Sequence, residues 1–258
     1  MKTSTSALTL CLGLLTMSPT VHAASVLISG GATIDYDAAA WATLAGGINA
    51  DPFKALILDE FFDQAGVASR NGTQILNDEV VANPSTMGLY HGLNGSSVTN
   101  LAGRTNQATT FSYDAGNLTA HTGVIGLGGI TRWDVNTLLG GGQLGFGDFT
   151  LAYDPARLLV GGSGWALTVN LTGGGTAFDL INVTTNATDT SLSISGDLAV
   201  SFEMANFYLG TPGDQGRDIG NFSFSAAAIP EPSRALLMIL GFVCVSCRRQ
   251  RKAERLVA

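Results

Sequence analysis

The stretch from Ala24 to Pro230 contains no cysteine, because Cys11 lies near one end of the chain and Cys244 and Cys247 lie near the other. A disulfide framework is therefore excluded from this stretch, and so is a metal site built from clustered thiolates. Its fold must be stabilised by side-chain burial and backbone pairing. A stretch of about 205 residues is long enough for one domain with a hydrophobic core.

Basic side chains are also scarce in this stretch. It holds six Lys and Arg residues against 18 Asp and Glu residues, a net charge of −12. A surface this acidic argues against nucleic acid and anionic membrane surfaces as partners. It is compatible with divalent cations, although acidic composition alone does not make a metal site.

The first 23 residues have the order of a secretory signal peptide. Lys2 is followed by an apolar stretch from Ala7 to Leu15, and the small residues Val21 and Ala23 come next. This order predicts export and removal of the leader. We expect the cut between Ala23 and Ala24.

Residues 227–253 contain three features in a fixed order. The tripeptide Pro230-Glu231-Pro232 comes first, followed by an apolar run from Ala235 to Cys247, and a basic cluster comes last: Arg248, Arg249, Arg251 and Lys252. The two prolines hold the backbone extended and exclude helix there. The 13-residue apolar run is short for a full membrane span of about 20 residues, and the basic cluster is expected to stay in the cytoplasm.

This order resembles the PEP-CTERM sorting signal of Gram-negative bacteria. The resemblance implies processing by a membrane-embedded protease, exosortase, near Pro230, Glu231 and Pro232, with Arg248 and Arg249 as the stop-transfer charges. It further implies an inner-membrane anchored precursor that reaches the cell envelope or extracellular matrix, where such proteins accompany exopolysaccharide. The alternative is an ordinary C-terminal membrane anchor that follows a Pro-Glu-Pro by chance.

Short alternating strands dominate the rest of the sequence. Residues 107–226 form a β-rich domain in which Leu198, Val200, Phe202 and Met204 alternate with polar residues. Residues 24–106 form a mixed α/β segment. We expect a mainly β fold, an antiparallel β-sandwich or jelly roll with a short N-terminal helical segment, flanked by the signal peptide and a C-terminal hydrophobic anchor helix.

Two helical segments are expected before residue 107. Ala38–Leu44 is alanine-rich and predicts a short helical turn anchored by Trp41. In residues 51–69, Asp51 can cap a helix and Pro52 suits its first position. An alternative makes Lys54–Leu58 a strand, and we predict a helix over Asp59–Ala68.

Nucleophilic catalysis finds little support in the sequence. The stretch has two histidines, His91 and His121, and Ser163 lies in Gly-Gly-Ser-Gly-Trp rather than a nucleophile elbow. The adjacent carboxylates Asp59 with Glu60, and Asp78 with Glu79, point apart on a strand. We expect them to be solvated surface residues rather than a glycosidase pair.

Three binding alternatives remain. Asp214 and Asp218 occupy a turn that could ligate calcium, although a polar turn closed by an Arg217 ion pair is favoured. Tyr113 and His121 flank a hairpin and suggest haem, against an ordinary core or rim role. The three tryptophans could form a sugar-stacking face, with core placement favoured; they are Trp41, Trp133 and Trp165.

Taken together, the sequence predicts an exported, exosortase-processed surface or matrix protein. We expect a structural or interaction role linked to exopolysaccharide or biofilm, without catalysis and without a cofactor or metal. A carbohydrate-binding module is the main alternative, and a secreted hydrolase or a haem-binding domain is less favoured.

Overall fold

The computed structural model describes residues 24–46, 56–135, 141–171 and 174–231. The predicted signal peptide, the apolar run and the basic cluster lie outside these residues, as do Asp51 and Pro52. Within the described ranges, no helix has the length and apolar character needed to cross a membrane.

Eight antiparallel strands form one closed sheet, in the order β1-β3-β6-β9-β10-β11-β12-β13 and back to β1. Their bounds are β1 Ser25–Tyr36, β3 Leu89–Leu93, β6 Ile125–Gly128, β9 Thr150–Tyr153, β10 Trp165–Val169, β11 Gly175–Thr188, β12 Ser191–Val200 and β13 Asp218–Pro230. The fold is therefore mainly β and antiparallel, as predicted. The expected sandwich or jelly roll is wrong, because the sheet closes on itself as a barrel.

Closure depends on the pairing of the first strand with the last. β13 pairs with β1 from Ser25 opposite Pro230 to Tyr36 opposite Gly220, and its other edge pairs with β12. Gly30, with a φ of +136°, lies opposite Ala226 next to an irregularity between Leu27 and Ser29, and a Cβ there would meet the Ser225 carbonyl oxygen. Because β1 also pairs with β3 and β13 also pairs with β12, neither strand is left as a free edge.

A smaller three-stranded sheet lies beside the barrel. It consists of β2 (Ile57–Phe62), β7 (Ile130–Asp134) and β8 (Gln143–Gly147), in that order. The chain leaves the barrel at Gly129 and returns to it through Gly147 and Asp148, all with positive φ. The chain therefore changes from the small sheet to the barrel at Gly147 and Asp148. In the sequence, the apolar runs before and after these two residues look like a single strand.

The helix predicted over Asp59–Ala68 is wrong for most of its length. Residues Ile57–Phe62 form β2, because Leu58 and Phe62 alternate with less buried neighbours and the strand pairs with β7. Only a four-residue helix, α2 (Gln64–Val67), remains after it. The short helix with Trp41 is present as α1 (Ala38–Ala42), capped by Asp37, and a further helix, α3, spans Gly72–Asn77.

Each end of the barrel is covered by a different element. At the end where β1 finishes, Trp41 of α1 and Trp133 of β7 are both buried and pack with Tyr36. At the end where β1 begins, a hairpin of β4 (Ser112–Asp114) and β5 (Asn117–Thr122) pairs with β1. The aromatic core is therefore enclosed at both ends.

The strands do not follow the segment boundaries predicted from the sequence. β1 and β3 come from residues 24–106, yet they pair with strands from residues 107–226 in one barrel. β13 also continues past residue 226, as far as Pro230. One sheet thus unites the chain from Ser25 to the first proline of the Pro-Glu-Pro tripeptide.

Candidate functional site

The two predicted processing sequences meet at one end of the barrel. Ser25 pairs with Pro230, and the backbone N–H of Glu231 donates to the carbonyl oxygen of Ala24 at 2.7 Å. Pro230 has no N–H to donate, and strand ends tolerate this loss. The remaining predicted sorting residues lie outside the described residues: Ala23, Pro232, Arg248 and Arg249.

Side chains fasten the same end of the barrel to the turn between β11 and β12. The Ser25 hydroxyl donates to the Asp189 carbonyl at 2.9 Å, and the Tyr113 hydroxyl donates to the Thr188 carbonyl at 2.8 Å. Tyr113 is fully buried. Tyr113 therefore has the ordinary core role that the sequence favoured, with its hydroxyl bound within the fold.

A small aromatic groove lies where the β4–β5 hairpin covers β9 and β10. Its cavity volume is about 170 Å³. Tyr153 and Trp165 are directly paired across β9 and β10, and His121 of β5 faces them. Leu118 and Thr185 complete the lining.

The rings of this groove are closely arranged. The His121 ring centroid lies 5.4 Å from that of Tyr153, edge to face, and 5.9 Å from that of Trp165, nearly parallel. Tyr153 and Trp165 are 5.6 Å apart at 68°. Gly164, with a φ of +90°, passes against the Tyr153 ring where a Cβ would clash with it. These contacts hold the three rings in a defined arrangement.

The groove also carries polar atoms without protein partners. His121 Nδ1 lies 2.8 Å from the Leu118 carbonyl oxygen, which can only accept, so Nδ1 carries the hydrogen and Nε2 of the neutral ring is an acceptor. Among the described residues, His121 Nε2, the Tyr153 hydroxyl and Trp165 Nε1 have no hydrogen-bond partner. The groove therefore combines aromatic surface with one acceptor and two donors.

The sequence pointed to only part of this groove. His121 was considered as a haem ligand and Trp165 as part of a sugar-stacking face, while Tyr153 was assigned to an alternating strand. The favoured core placement of the three tryptophans is confirmed, because Trp41, Trp133 and Trp165 are all buried. The alternation of apolar residues before Tyr153 indicates that Tyr153 lies on a strand. It does not indicate that Trp165 lies opposite Tyr153 on the neighbouring strand.

All five arginines in the described ranges form ion pairs with carboxylates. The pairs are Arg70–Asp78, Arg104–Asp148, Arg132–Asp59 with Glu60, Arg157–Asp179 with Glu203, and Arg217–Asp214. The described surface therefore presents many carboxylates, and its arginines are already neutralised by neighbours.

The candidate calcium turn is closed by its own contacts. Asp214 accepts from Arg217 at 2.7 Å, from the Thr211 hydroxyl at 2.6 Å and from the Ala45 N–H at 2.8 Å. Burial raises the pKa of Asp214, but these hydrogen bonds outweigh burial and hold the pKa below its ordinary value. Asp218 instead accepts from Gly220. Within the described ranges, no group of three or more metal-binding side chains occurs.

The groups considered for hydrolysis are not assembled into a site. His91 is buried between Phe61 and Phe149, with Nδ1 3.2 Å from the Gly129 carbonyl oxygen. Burial lowers the pKa of His91 to about 4. Ser163 instead accepts from the Trp165 N–H. The described contacts of His91 are therefore core contacts, and Ser163 is not one of them.

One carboxylate placed on the surface by the sequence interpretation is in fact buried. Glu60 is fully buried and accepts from the N–H groups of Val80 and Val81, with Arg132 3.7 Å away. The long-range pairing of β2 turns this side chain inward. Asp59, its neighbour, pairs with Arg132 at 2.7 Å.

These observations define an antiparallel eight-stranded barrel in which β1 pairs with β13, together with an aromatic groove. No protein-family model, no curated protein and no solved structure matches the chain. Its function is therefore inferred from its own geometry and from the sequence features at its two ends.

Proposed function

We propose that the protein is an exported surface or matrix component, sorted through a PEP-CTERM-type signal and processed by exosortase. It serves a structural or interaction role associated with exopolysaccharide rather than a catalytic one. The observation that carries the proposal is the hydrogen bond between Glu231 and Ala24, which holds the two predicted processing sequences side by side.

This arrangement suits a precursor held in the inner membrane by both ends. A secretory leader enters the membrane from the cytoplasm, and the C-terminal apolar run returns toward its basic cluster. Both segments must therefore meet the outer face of the membrane. Because Ala24 precedes β1 and Glu231 follows β13, and these two strands are neighbours, the folded barrel can satisfy both attachments at one end.

The arrangement also suits release of an intact domain. β13 contributes to two ladders, with β1 as far as Pro230 and with β12 as far as Ala227. Cleavage after Glu231 would leave both ladders complete, whereas cleavage well before Pro230 would open the barrel. Pro230, the first residue of the Pro-Glu-Pro sequence, is the last residue of β13.

The intact mass of the protein, recovered separately from cells, envelope and medium, tests this proposal. We expect an N-terminus at Ala24 and a C-terminus shortly after Glu231, with the apolar and basic segments removed. A mass that retains Arg248 to Ala258 in every fraction would contradict sorting and indicate a plain membrane anchor. A C-terminus before Ala226 would contradict release of a closed barrel.

A second function, carbohydrate binding, is favoured by the aromatic groove of Leu118, His121, Tyr153, Trp165 and Thr185. It is compatible with the first, since a matrix component must make contact with the matrix. Titration of the protein with the exopolysaccharide of its own cells tests it. Saturable quenching of tryptophan fluorescence is expected, and an unchanged signal would count against it.

A further inference from the structure

We propose that the aromatic groove is a binding site for one uncharged sugar ring within a glycan chain. The half-buried rings of Tyr153 and His121 provide the aromatic surface, and Trp165, which is 5% exposed, forms the floor of the groove beneath them. His121 Nε2, the Tyr153 hydroxyl and Trp165 Nε1 provide hydrogen bonds to ring hydroxyls. This inference names the ligand class for the carbohydrate-binding function proposed above. It does not depend on whether the C-terminal tail is processed.

The size of the groove favours a small unit. Its volume of about 170 Å³ corresponds to about five to six waters at roughly 30 Å³ each. Sites that enclose drug-sized molecules and cofactors occupy about 300 to 1,000 Å³, so this groove accommodates only a smaller group. Haem is therefore too large for this groove, and a single pyranose is of suitable size.

The chemistry of the lining favours a polyhydroxyl ligand with apolar faces. A pyranose presents C–H groups on its ring faces and hydroxyls around its edge, so it needs aromatic surface beside hydrogen-bonding atoms. The groove supplies both, since its three rings lie within 6 Å of one another. Each ring also carries a polar atom that has no hydrogen-bond partner in the part of the chain that the structure describes. A purely apolar ligand would leave three polar atoms unsatisfied.

The charges of the protein favour an uncharged sugar. The groove lining contains no Asp, Glu, Lys or Arg, so a charged ligand would have no counterion there. The stretch from Ala24 to Pro230 carries a net charge of −12, and the described arginines are engaged in ion pairs. An acidic glycan would be repelled at long range and would find no arginine to pair with.

Tryptophan fluorescence can report occupancy of this groove selectively. All three tryptophans are buried, but Trp41 and Trp133 stack on each other away from the groove, whereas Trp165 lines it. The full-length protein would be titrated, in a detergent without a sugar headgroup, with neutral oligosaccharides of glucose, galactose, mannose and N-acetylglucosamine. Oligosaccharides of glucuronic acid would serve as the acidic comparison, and calorimetry would give the affinity independently of fluorescence.

Three variants in the groove and one outside it complete the experiment. Tyr153→Phe removes one hydroxyl and keeps the ring, so we expect affinity to fall about three- to tenfold, the value of one neutral hydrogen bond. His121→Gln should weaken binding similarly, and Trp165→Phe should abolish the ligand-dependent fluorescence change. Tyr90→Phe is the matched control, because Tyr90 is half-exposed on β3 and does not line the groove.

The outcomes separate this inference from the processing proposal. Saturable binding of one neutral series that is lost in the groove variants but kept in Tyr90→Phe would support it. Absence of binding to every neutral series would overturn it, as would binding that all three groove variants retain. Equal or tighter binding of the glucuronic acid series would overturn the uncharged ligand class. None of these results alters the expected masses of the processed chain.

Discussion

Trp41 and Trp133 stack face to face, with ring centroids 4.1 Å apart and 9° between the ring planes. Tyr36 meets both rings edge-on at 5.1 Å. One indole comes from α1 and the other from β7, so the pair joins the N-terminal helix to the three-stranded sheet across the end of the barrel. Removing either ring would leave a cavity that rigid strands cannot easily fill.

Trp41→Ala is therefore expected to lower the free energy of unfolding by about 3–5 kcal/mol, the usual cost of deleting a buried large aromatic. Urea denaturation followed by circular dichroism measures it. Phe207→Ala is the control, since Phe207 is 75% exposed and should change stability by less than about 0.5 kcal/mol. Equal losses in both variants would show that the stacked pair has no special role in capping the barrel.

Asp148→Asn tests the buried ion pair with Arg104. Both side chains are fully buried, with contacts of 2.7 and 2.9 Å. Asn tolerates the positive φ of this position, so the change mainly removes the charge and leaves Arg104 buried without a counterion. We expect a loss of about 3–5 kcal/mol.

The exposed pair Arg70–Asp78 provides the comparison for this variant. Its side chains are 27% and 40% exposed, and solvent screens such pairs to about 1 kcal/mol or less. Asp78→Asn should therefore cost much less than Asp148→Asn in the same urea titration. If the two variants lost stability equally, burial of the Arg104 pair would not be the reason for its effect.

His91 is expected to make the protein acid-sensitive. Burial lowers its pKa to about 4 from an ordinary value of 6.5, so between these pH values the unfolded chain binds a proton that the folded protein does not. Stability contributed by this difference is present above pH 6.5 and is lost as pH falls toward 4. The loss should reach about 3 kcal/mol.

Unfolding free energies measured by urea titration between pH 4 and pH 7 would show this dependence. In His91→Leu, the fall in unfolding free energy between pH 7 and pH 4 should be smaller by about 3 kcal/mol. This holds whatever the stability of the variant at neutral pH. His121→Gln, which removes the half-buried groove histidine, is the control and should retain the steep fall. A wild-type profile as flat as that of His91→Leu would contradict the assignment.

Truncation of β13 tests how far the folded domain extends. A chain of residues 24–231 should fold, because it keeps the pairing of Ser25 with Pro230 and the hydrogen bond from Glu231 to Ala24. A chain of residues 24–225 loses the β1 pairs of residues 226–230 and should be less stable by at least about 3 kcal/mol, at about 1 kcal/mol for each lost hydrogen bond. Hydrogen exchange of β1 amides would locate the opening, and equal protection in both chains would refute it.

Local signals in the sequence determined several features of this protein. Alternation of apolar residues predicted β12 and placed Leu198 and Val200 in the core, where both are buried. The alanine-rich turn predicted α1 with Trp41 inside, and Asp37 caps it. The spacing of Asp214 and Arg217 predicted the ion pair that closes their turn. Each of these depends on residues close together in sequence, so periodicity and short-range pairing suffice.

Where these local signals gave the wrong prediction, long-range strand pairing determined the structure. Residues 57–62 have apolar spacing compatible with a helix, but pairing with β7 makes them a strand, and Asp59 meets Arg132 from 73 positions away. Alternation likewise suggested that Phe202 continues β12, whereas β12 ends at Val200 and Phe202 is 47% exposed. A period of two indicates which side of a strand is buried, but it does not identify the neighbouring strand.

The sequence itself led to the prediction of export and sorting. This prediction depends on the secretory leader, on the Pro-Glu-Pro segment with the apolar run and basic cluster after it, and on composition and charge. Only the tertiary structure decided that β1 meets β13, which closes the barrel and brings Ala24 to Glu231. Only the tertiary structure gathered His121, Tyr153 and Trp165 into one groove. The physical reason is that backbone hydrogen bonds between distant strands carry no residue-specific signal, so side chains brought together by them are recognised only once the sheet is formed.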